Sequence, residues 1–201
     1  MLHLLVELDD FAIEATQTIR WEPLTVLFVV ASAWWVKWPL IAAFGAIGDA
    51  RPRCASRLCA LSASLAAGVA ALSVALIKEV TDRARPPVAE ESSVVPLVPI
   101  PESTSFPSGH AATAFAAATA VALVYPRLRV PVLVLAALVA LSRVYLGVHY
   151  WSDVLVGSLF GIAVGWATVY VVRWAVRVRR GRVRSREARG TSSSRLRRSQ
   201  G

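Results

Sequence analysis

A chain of 201 residues that is 56% hydrophobic, with mean hydropathy +0.55, is too apolar for an ordinary soluble domain, and its apolar residues fall in long uninterrupted blocks. The length suits one compact helical bundle and leaves no room for a second domain. The net charge of +9 does not point to nucleic acid, because eleven arginines and one acidic residue lie between Arg173 and Arg198 and the remainder is close to neutral.

Residues 1–20 carry Glu7, Asp9, Asp10 and Glu14 where a cleavable signal peptide needs a basic start and an apolar core, so none is expected. Pro23 to Ile47 is apolar apart from Lys37, which sits among Trp34, Trp35 and Trp38 in the manner of an interfacial belt. This predicts a helix along the membrane surface before Ala33, then a span over 34–48. A single tilted span from Pro23 to Ile47 is the alternative. Cys54 and Cys59 are too few for a disulfide framework and lack metal-ligand spacing.

Leu58 to Ile77 is free of charge for 20 residues. At about 1.5 Å per residue it spans about 30 Å, the thickness of a hydrocarbon core. The stretch from 86 to 107 contains Pro86, Pro87, Pro96, Pro99, Pro101 and Pro107 and reads as a loop. Ala111–Val124 and Val130–Leu141 are shorter apolar blocks joined by the basic turn Tyr125–Arg129. Each reaches spanning length only when the polar residues at its far end are included, Ser108 to His110 and Ser142 to His149. Val154–Val172 is the last block.

These blocks predict an all-α, polytopic transmembrane bundle with spans at 34–48, 57–77, 108–125, 129–148 and 153–173, five in all, six being the alternative. Residues 1–33 form the N-terminal segment with its interfacial helix, 34–176 the bundle, and 177–201 a basic, disordered tail. Arg51, Arg53 and Arg57, the arginines of the 125–129 turn and the tail all fall on one side, which the positive-inside rule makes cytoplasmic. The tail there meets anionic lipid headgroups. Lys78–Pro107, Arg143–Asp153 and the acidic N-terminus fall on the other side.

Polar groups at membrane depth usually have partners and a task. Lys78 ends the cleanest span and Arg85 follows seven residues later, about two helical turns. On one helical face the two cations can hold a phosphate from two sides; Lys78 alone reads more simply as a snorkelling stop-transfer charge. Pro107-Ser108-Gly109-His110 opens an apolar helix. A helix N-terminus offers free N–H groups to an anion, Gly109 permits close approach, and His110 lies in the first turn. Alone, this is equally an N-cap beside an incidental histidine. Arg143 is some 20 Å along a helix from Val130, below the outer surface, where an arginine needs an anion. His149 and Asp153 are four apart, on one face if helix runs between them, so that Asp153 can hold one ring nitrogen and make the other a better nucleophile.

Together the clusters Lys78/Arg85/Pro86, Pro107–His110 and Ser142/Arg143/His149/Asp153 resemble the signature of the type 2 phosphatidic acid phosphatase superfamily: Lys-x6-Arg-Pro, Pro-Ser-Gly-His and Ser-Arg-x5-His-x3-Asp. Every signature position is filled, over about residues 57–175. The resemblance implies a helical bundle with its site at the outer membrane face. It also implies His149 as nucleophile, Asp153 as its orienting group and His110 as the acid for the leaving oxygen. Lys78, Arg85, Ser108, Gly109 and Arg143 would cradle the phosphate, with no metal or other cofactor.

The expected activity is hydrolysis of a lipid phosphate through a phosphohistidine. The expected location is the plasma (inner) membrane, with the site extracytoplasmic and the tail cytoplasmic. An outward site favours undecaprenyl diphosphate, then phosphatidylglycerol phosphate or phosphatidic acid. A lipid phosphotransferase and a non-enzymatic lipid-binding or transport protein are the alternatives. The only partners expected are membrane lipids and the lipid phosphate itself.

Overall fold

The computed structural model describes residues 2–32, 53–89 and 92–198. The expected span over 34–48, and with it the choice between five and six spans, lies outside the described residues. Among those described there is no strand, and six helices account for the fold: α1 (Leu2–Thr18), α2 (Glu22–Ser32), α3 (Arg53–Lys78), α4 (Gly109–Val124), α5 (Arg129–Tyr145) and α6 (Trp151–Arg198). Three segments are long and apolar enough to cross a bilayer, Leu58–Lys78, Pro126–Tyr145 and Trp151–Arg179, and α4 is a shorter apolar helix. The protein is an integral membrane protein.

The distribution of side-chain size explains the bundle. On α3 the large residues Leu61, Leu65, Val69, Leu72 and Leu76 face outward, while Ala63, Ala66, Ala67 and Ala70 are buried. In water that pattern would be upside down. In lipid, where apolar surface gains nothing by leaving the solvent, small residues meet so that backbones approach closely. Helix α4 takes this furthest: alanines from Ala111 to Ala122 are buried around its circumference, and it touches α3, α5 and α6. A helix surrounded by protein has no apolar stripe, because it has no polar side.

Gly157, Gly161 and Gly165 on α6 recur at the helical repeat against this core. A Cβ at 157 would stand 2.6 Å from the Ser108 carbonyl oxygen, one at 165 2.5 Å from that of Ala116, and one at 161 would collide with the Ala112 carbonyl. The obstacle in each case is backbone, which cannot swing away. Gly161→Val therefore destabilises the bundle by about 1–3 kcal/mol, the usual range for overpacking. Thermal unfolding of the detergent-solubilised protein is the measurement.

Residues 2–32 form two helices where one interfacial helix is expected. Pro23 lacks the N–H that would continue α1, yet fits the first turn of a new helix, so the chain breaks at 19–21. Helix α1 buries Asp9, Ile13 and Thr16 on one face and exposes Leu8 and Phe11 on another. Helix α2 lies along α5, with Phe28 4.8 Å from the Tyr145 ring and the Trp21 N–H donating to the Tyr145 hydroxyl at 2.8 Å. Residues 86–89 and 92–107 form no α-helix, as the prolines require, and Pro86–Val88 make a 3-10 turn. Helix α6 runs to Arg198; no proline follows Pro131, and arginine is a good helix former.

Candidate active site

Four pieces of chain deliver the signature residues to one end of the bundle. Helix α3 ends at Lys78, and the segment from Thr81 to Arg85 is not helical. The expectation of two cations on one helical face is thus corrected, because the chain must leave the helix to reach Pro86 and Pro87. The two still converge: Lys78 Nζ and Arg85 Nη2 both donate to the Thr104 carbonyl, Arg85 at 3.3 Å. Ser108 caps α4, its hydroxyl accepting the Ala111 N–H at 3.5 Å, and its own N–H donates to the Asp153 carbonyl at 3.1 Å. Half-buried His110 follows in the first turn. A Cβ at Gly109 would make only an ordinary contact, 3.5 Å from Val74 Cγ1, so packing alone does not demand glycine there.

Helix α5 ends in a Schellman turn. The Val148 N–H donates to the Arg143 carbonyl and the Gly147 N–H to that of Val144, with Gly147 at φ +75°. This reversal sends the chain back across the helix end and places His149 in the interior, 2% exposed. His149 lies before α6 begins at Trp151, so no continuous helix joins 149 to 153 and the condition for a shared helical face is not met. The pair is assembled by the cap instead. Asp153, in the first turn of α6 and fully buried, reaches back to accept the Tyr150 N–H at 3.0 Å, half of a capping box.

His149 Nδ1 is 3.5 Å from Asp153 Oδ2, longer than a closed N–H···O bond, and has no other partner. That oxygen already accepts from the Ser105 hydroxyl at 2.5 Å as well as from Tyr150. On the other side of the ring, Nε2 is 3.1 Å from Arg85 Nη1. A guanidinium can only donate, so Nε2 is the acceptor and Nδ1, facing the carboxylate, carries the proton. Arg85, 4% exposed, also donates to the carbonyls of Ser103 and Val148, each at 2.8 Å. Arg143 is 5% exposed, and its Nε is buried without a hydrogen-bond partner. The site therefore joins a neutral imidazole to buried positive charge, an arrangement suited to an anion whose central atom Nε2 can attack.

Burial pushes the His149 pKa down to about 4 from an ordinary 6.5, helped by the cations Arg85 and Arg143 and opposed by Asp153. The folded value lies below the unfolded one, so the stability from burying neutral His149 is complete above pH 6.5 and lost as pH falls towards 4. Were neutral His149 the attacking group, the acid limb of kcat/KM would fall near pH 4 rather than near 6.5 once substrate ionisation is accounted for. A pH profile on purified protein checks this; an acid limb at 6–7 would show that burial does not depress the His149 pKa.

Sequence reasoning missed four residues. Arg83 donates to Asp153 Oδ1 and to Asp9 Oδ2, each at 2.7 Å, and to the Ser152 hydroxyl at 2.6 Å. Ser105 holds the other Asp153 oxygen. Asp9 accepts the Ser152 N–H at 3.1 Å and the Ser152 hydroxyl. Arg83 carried a weak signal, a charge two residues before Arg85; Asp9, Ser105 and Ser152 carried none.

The sequence profile of the PAP2 superfamily matches residues 57–177. The chain is 41% identical over 134 residues to the decaprenylphosphoryl-5-phosphoribose phosphatase of Mycobacterium tuberculosis, covering 65% of this chain and 68% of that one. It is 38% identical over 94 residues to the lipid A 1-phosphatase of Rhizobium etli, covering 45% of this chain but only 39% of the relative's length. Among solved structures, a transmembrane PAP2-type phosphatidylglycerolphosphate phosphatase from Bacillus subtilis superposes with TM-score 0.65 and 29% identity over 82% of this chain and 84% of that one. LpxE of Aquifex aeolicus gives 0.61 and 28% over 79% and 93%.

Proposed function

The chain belongs to the PAP2 superfamily, and from that premise we propose that it hydrolyses a lipid phosphate through a phosphohistidine on His149. The observation that carries this reading is the state of His149. It is buried, its Nε2 lone pair faces Arg85, its Nδ1 faces Asp153, and among the described residues no carboxylate forms an ion pair with the nearby Arg143.

The substrate phosphate is anionic, and Lys78, Arg85, Arg143 and the N–H groups at the start of α4 neutralise it. Binding draws Arg85 from Nε2 to a phosphate oxygen and frees the lone pair. Nε2 then attacks phosphorus in line. The Nε2–P bond forms, the bond to the leaving oxygen breaks, and His110 gives that oxygen its proton. Asp153 stabilises the charge that develops on the ring. Water next attacks phosphorus with His110 taking its proton, the N–P bond breaks, and phosphate leaves. The basic limb of the pH profile therefore reports loss of the acid form of His110.

The relative matched over the greater share of both chains is named for a decaprenyl-linked substrate. That supports a polyprenyl carrier, and with the site on the outer face undecaprenyl diphosphate is the first substrate to try. The test is phosphate release by purified protein, with chelator present, from undecaprenyl diphosphate, a polyprenyl-linked sugar phosphate, phosphatidylglycerol phosphate and phosphatidic acid. Turnover of at least one, inhibited by orthovanadate as a mimic of the in-line transition state, supports the reading. Strict dependence on added magnesium, or no release from any, sinks it.

The extracytoplasmic site and cytoplasmic tail rest on the basic loops. Single cysteines in a background free of Cys54 and Cys59, probed on intact cells with an impermeant thiol reagent, test the sidedness. A cysteine at Val95 labels from outside and one at Ser193 only after lysis; the reverse pattern inverts the topology.

A further inference from the structure

We propose that Asp9 and Arg83 are a positioning pair which sets the Asp153 carboxylate, and through it the ring of His149, so that the N-terminal helix α1 is part of the catalytic apparatus. The inference rests on the nucleophile assignment above.

The geometry begins with a carboxylate that has two oxygens and one task. For Oδ2 to face His149 Nδ1, rotation about the Asp153 side chain must be stopped from the far side. Arg83 does this by holding Oδ1 at 2.7 Å. Its own backbone carbonyl accepts the Ser105 N–H at 2.8 Å, and the Ser105 hydroxyl donates to Oδ2. One residue thus holds the first oxygen directly and places the donor to the second.

Arg83 is in turn fixed by Asp9, whose Oδ2 accepts from Nη2 at 2.7 Å while Oδ1 accepts the otherwise orphaned Ser152 N–H in the first turn of α6. Asp9 is 6% and Asp153 0% exposed, so each relies on protein donors. A guanidinium is the one side chain whose fork reaches two carboxylates in a plane. The face of Tyr150, 4.1 Å away, holds that plane.

A tie that merely docked α1 would share these contacts, so the test must separate the two roles. Helix α1 has another anchor on α6: Trp151 Nε1 donates to the Ala12 carbonyl at 3.3 Å and to the Thr16 hydroxyl at 3.2 Å. Trp151→Phe removes that anchor without touching Arg83.

The full-length protein in detergent, with a lipid phosphate it turns over, is assayed for kcat, KM and thermal unfolding. Arg83→Met is expected to lower kcat about 10–100-fold, the range for lost outer-layer support of a catalytic group, with KM within about twofold. Asp9→Asn keeps an acceptor for Ser152 but loses the charge, and lowers kcat less. The double variant is no worse than Arg83→Met, since Asp9 acts through Arg83. Arg83→Lys recovers part of the loss, and Trp151→Phe leaves kcat unchanged. Should Arg83→Met fail to fold, Asp9→Asn and Arg83→Lys carry the same test.

Unchanged kcat in folded Arg83→Met and Asp9→Asn overturns the pair, as do purely additive losses. A fall in kcat in Trp151→Phe as large as that in Asp9→Asn also overturns it. His149→Ala is run alongside: activity surviving there refutes the nucleophile assignment, whereas activity lost there but kept in Arg83→Met refutes the pair alone.

Discussion

His149→Ala abolishes turnover, by at least about three orders of magnitude, while the protein still inserts and folds. The first half follows from the covalent catalysis proposed above: on that reading Nε2 is the nucleophile, and without it only binding and electrostatic stabilisation remain. The second half follows from how little the ring is tied down. Nδ1 approaches Asp153 only to 3.5 Å, and Asp153 keeps its bonds to Arg83, Ser105 and Tyr150. Arg85 Nη1 loses the imidazole but keeps the Val148 carbonyl at 2.8 Å. No buried donor is orphaned by the change. The measurement is trapping of radiolabelled phosphoenzyme after rapid quenching, expected in the wild type and absent from the variant. Label that persists in His149→Ala assigns the nucleophile elsewhere.

Arg143→Met is expected to lower kcat/KM about 10²–10³-fold and, unlike most active-site losses, to make the unliganded protein more stable. Arg143 is 5% exposed with Nε lacking a partner, and among the described residues no carboxylate forms an ion pair with it. A buried charge without compensation destabilises the fold, and a methionine of similar length removes that burden. The same charge is then missing when phosphate must be held and its transition state stabilised. Two unfolding curves check the account. Phosphate or vanadate raises the melting temperature of the wild type, by mass action amounting to about 2.7 kcal/mol at a hundredfold excess over Kd. The variant starts higher and responds little. A variant that melts lower than wild type, yet is equally stabilised by phosphate, would remove Arg143 from the anion site.

The sequence by itself determined the membrane setting and marked the candidate site residues. Lys78, Ser108, Arg143 and Asp153 stand at the ends of apolar blocks, Arg85 and His149 lie at short spacings from them, and a polar group at such a place is visible without coordinates. The uncharged block Leu58–Ile77 marks α3 for the same reason, since hydrocarbon thickness dictates length. Sidedness rests on charge counting and awaits the cysteine experiment. Helix α4 is legible as an uncharged apolar block and not from periodicity, because a helix buried all round leaves none.

Tertiary structure decided how the signature residues meet. Lys78 and Arg85 are joined by non-helical chain and not by a helical face, and His149 reaches Asp153 through a left-handed Gly147 and a capping box. Both outcomes depend on where helices stop, which the packing of neighbours sets as much as local propensity. Asp9, 74 residues before Arg83, looked like one more acid on an extracytoplasmic segment. Only folding brings α1 against α6, and an ion pair between distant segments leaves no spacing in the chain to read.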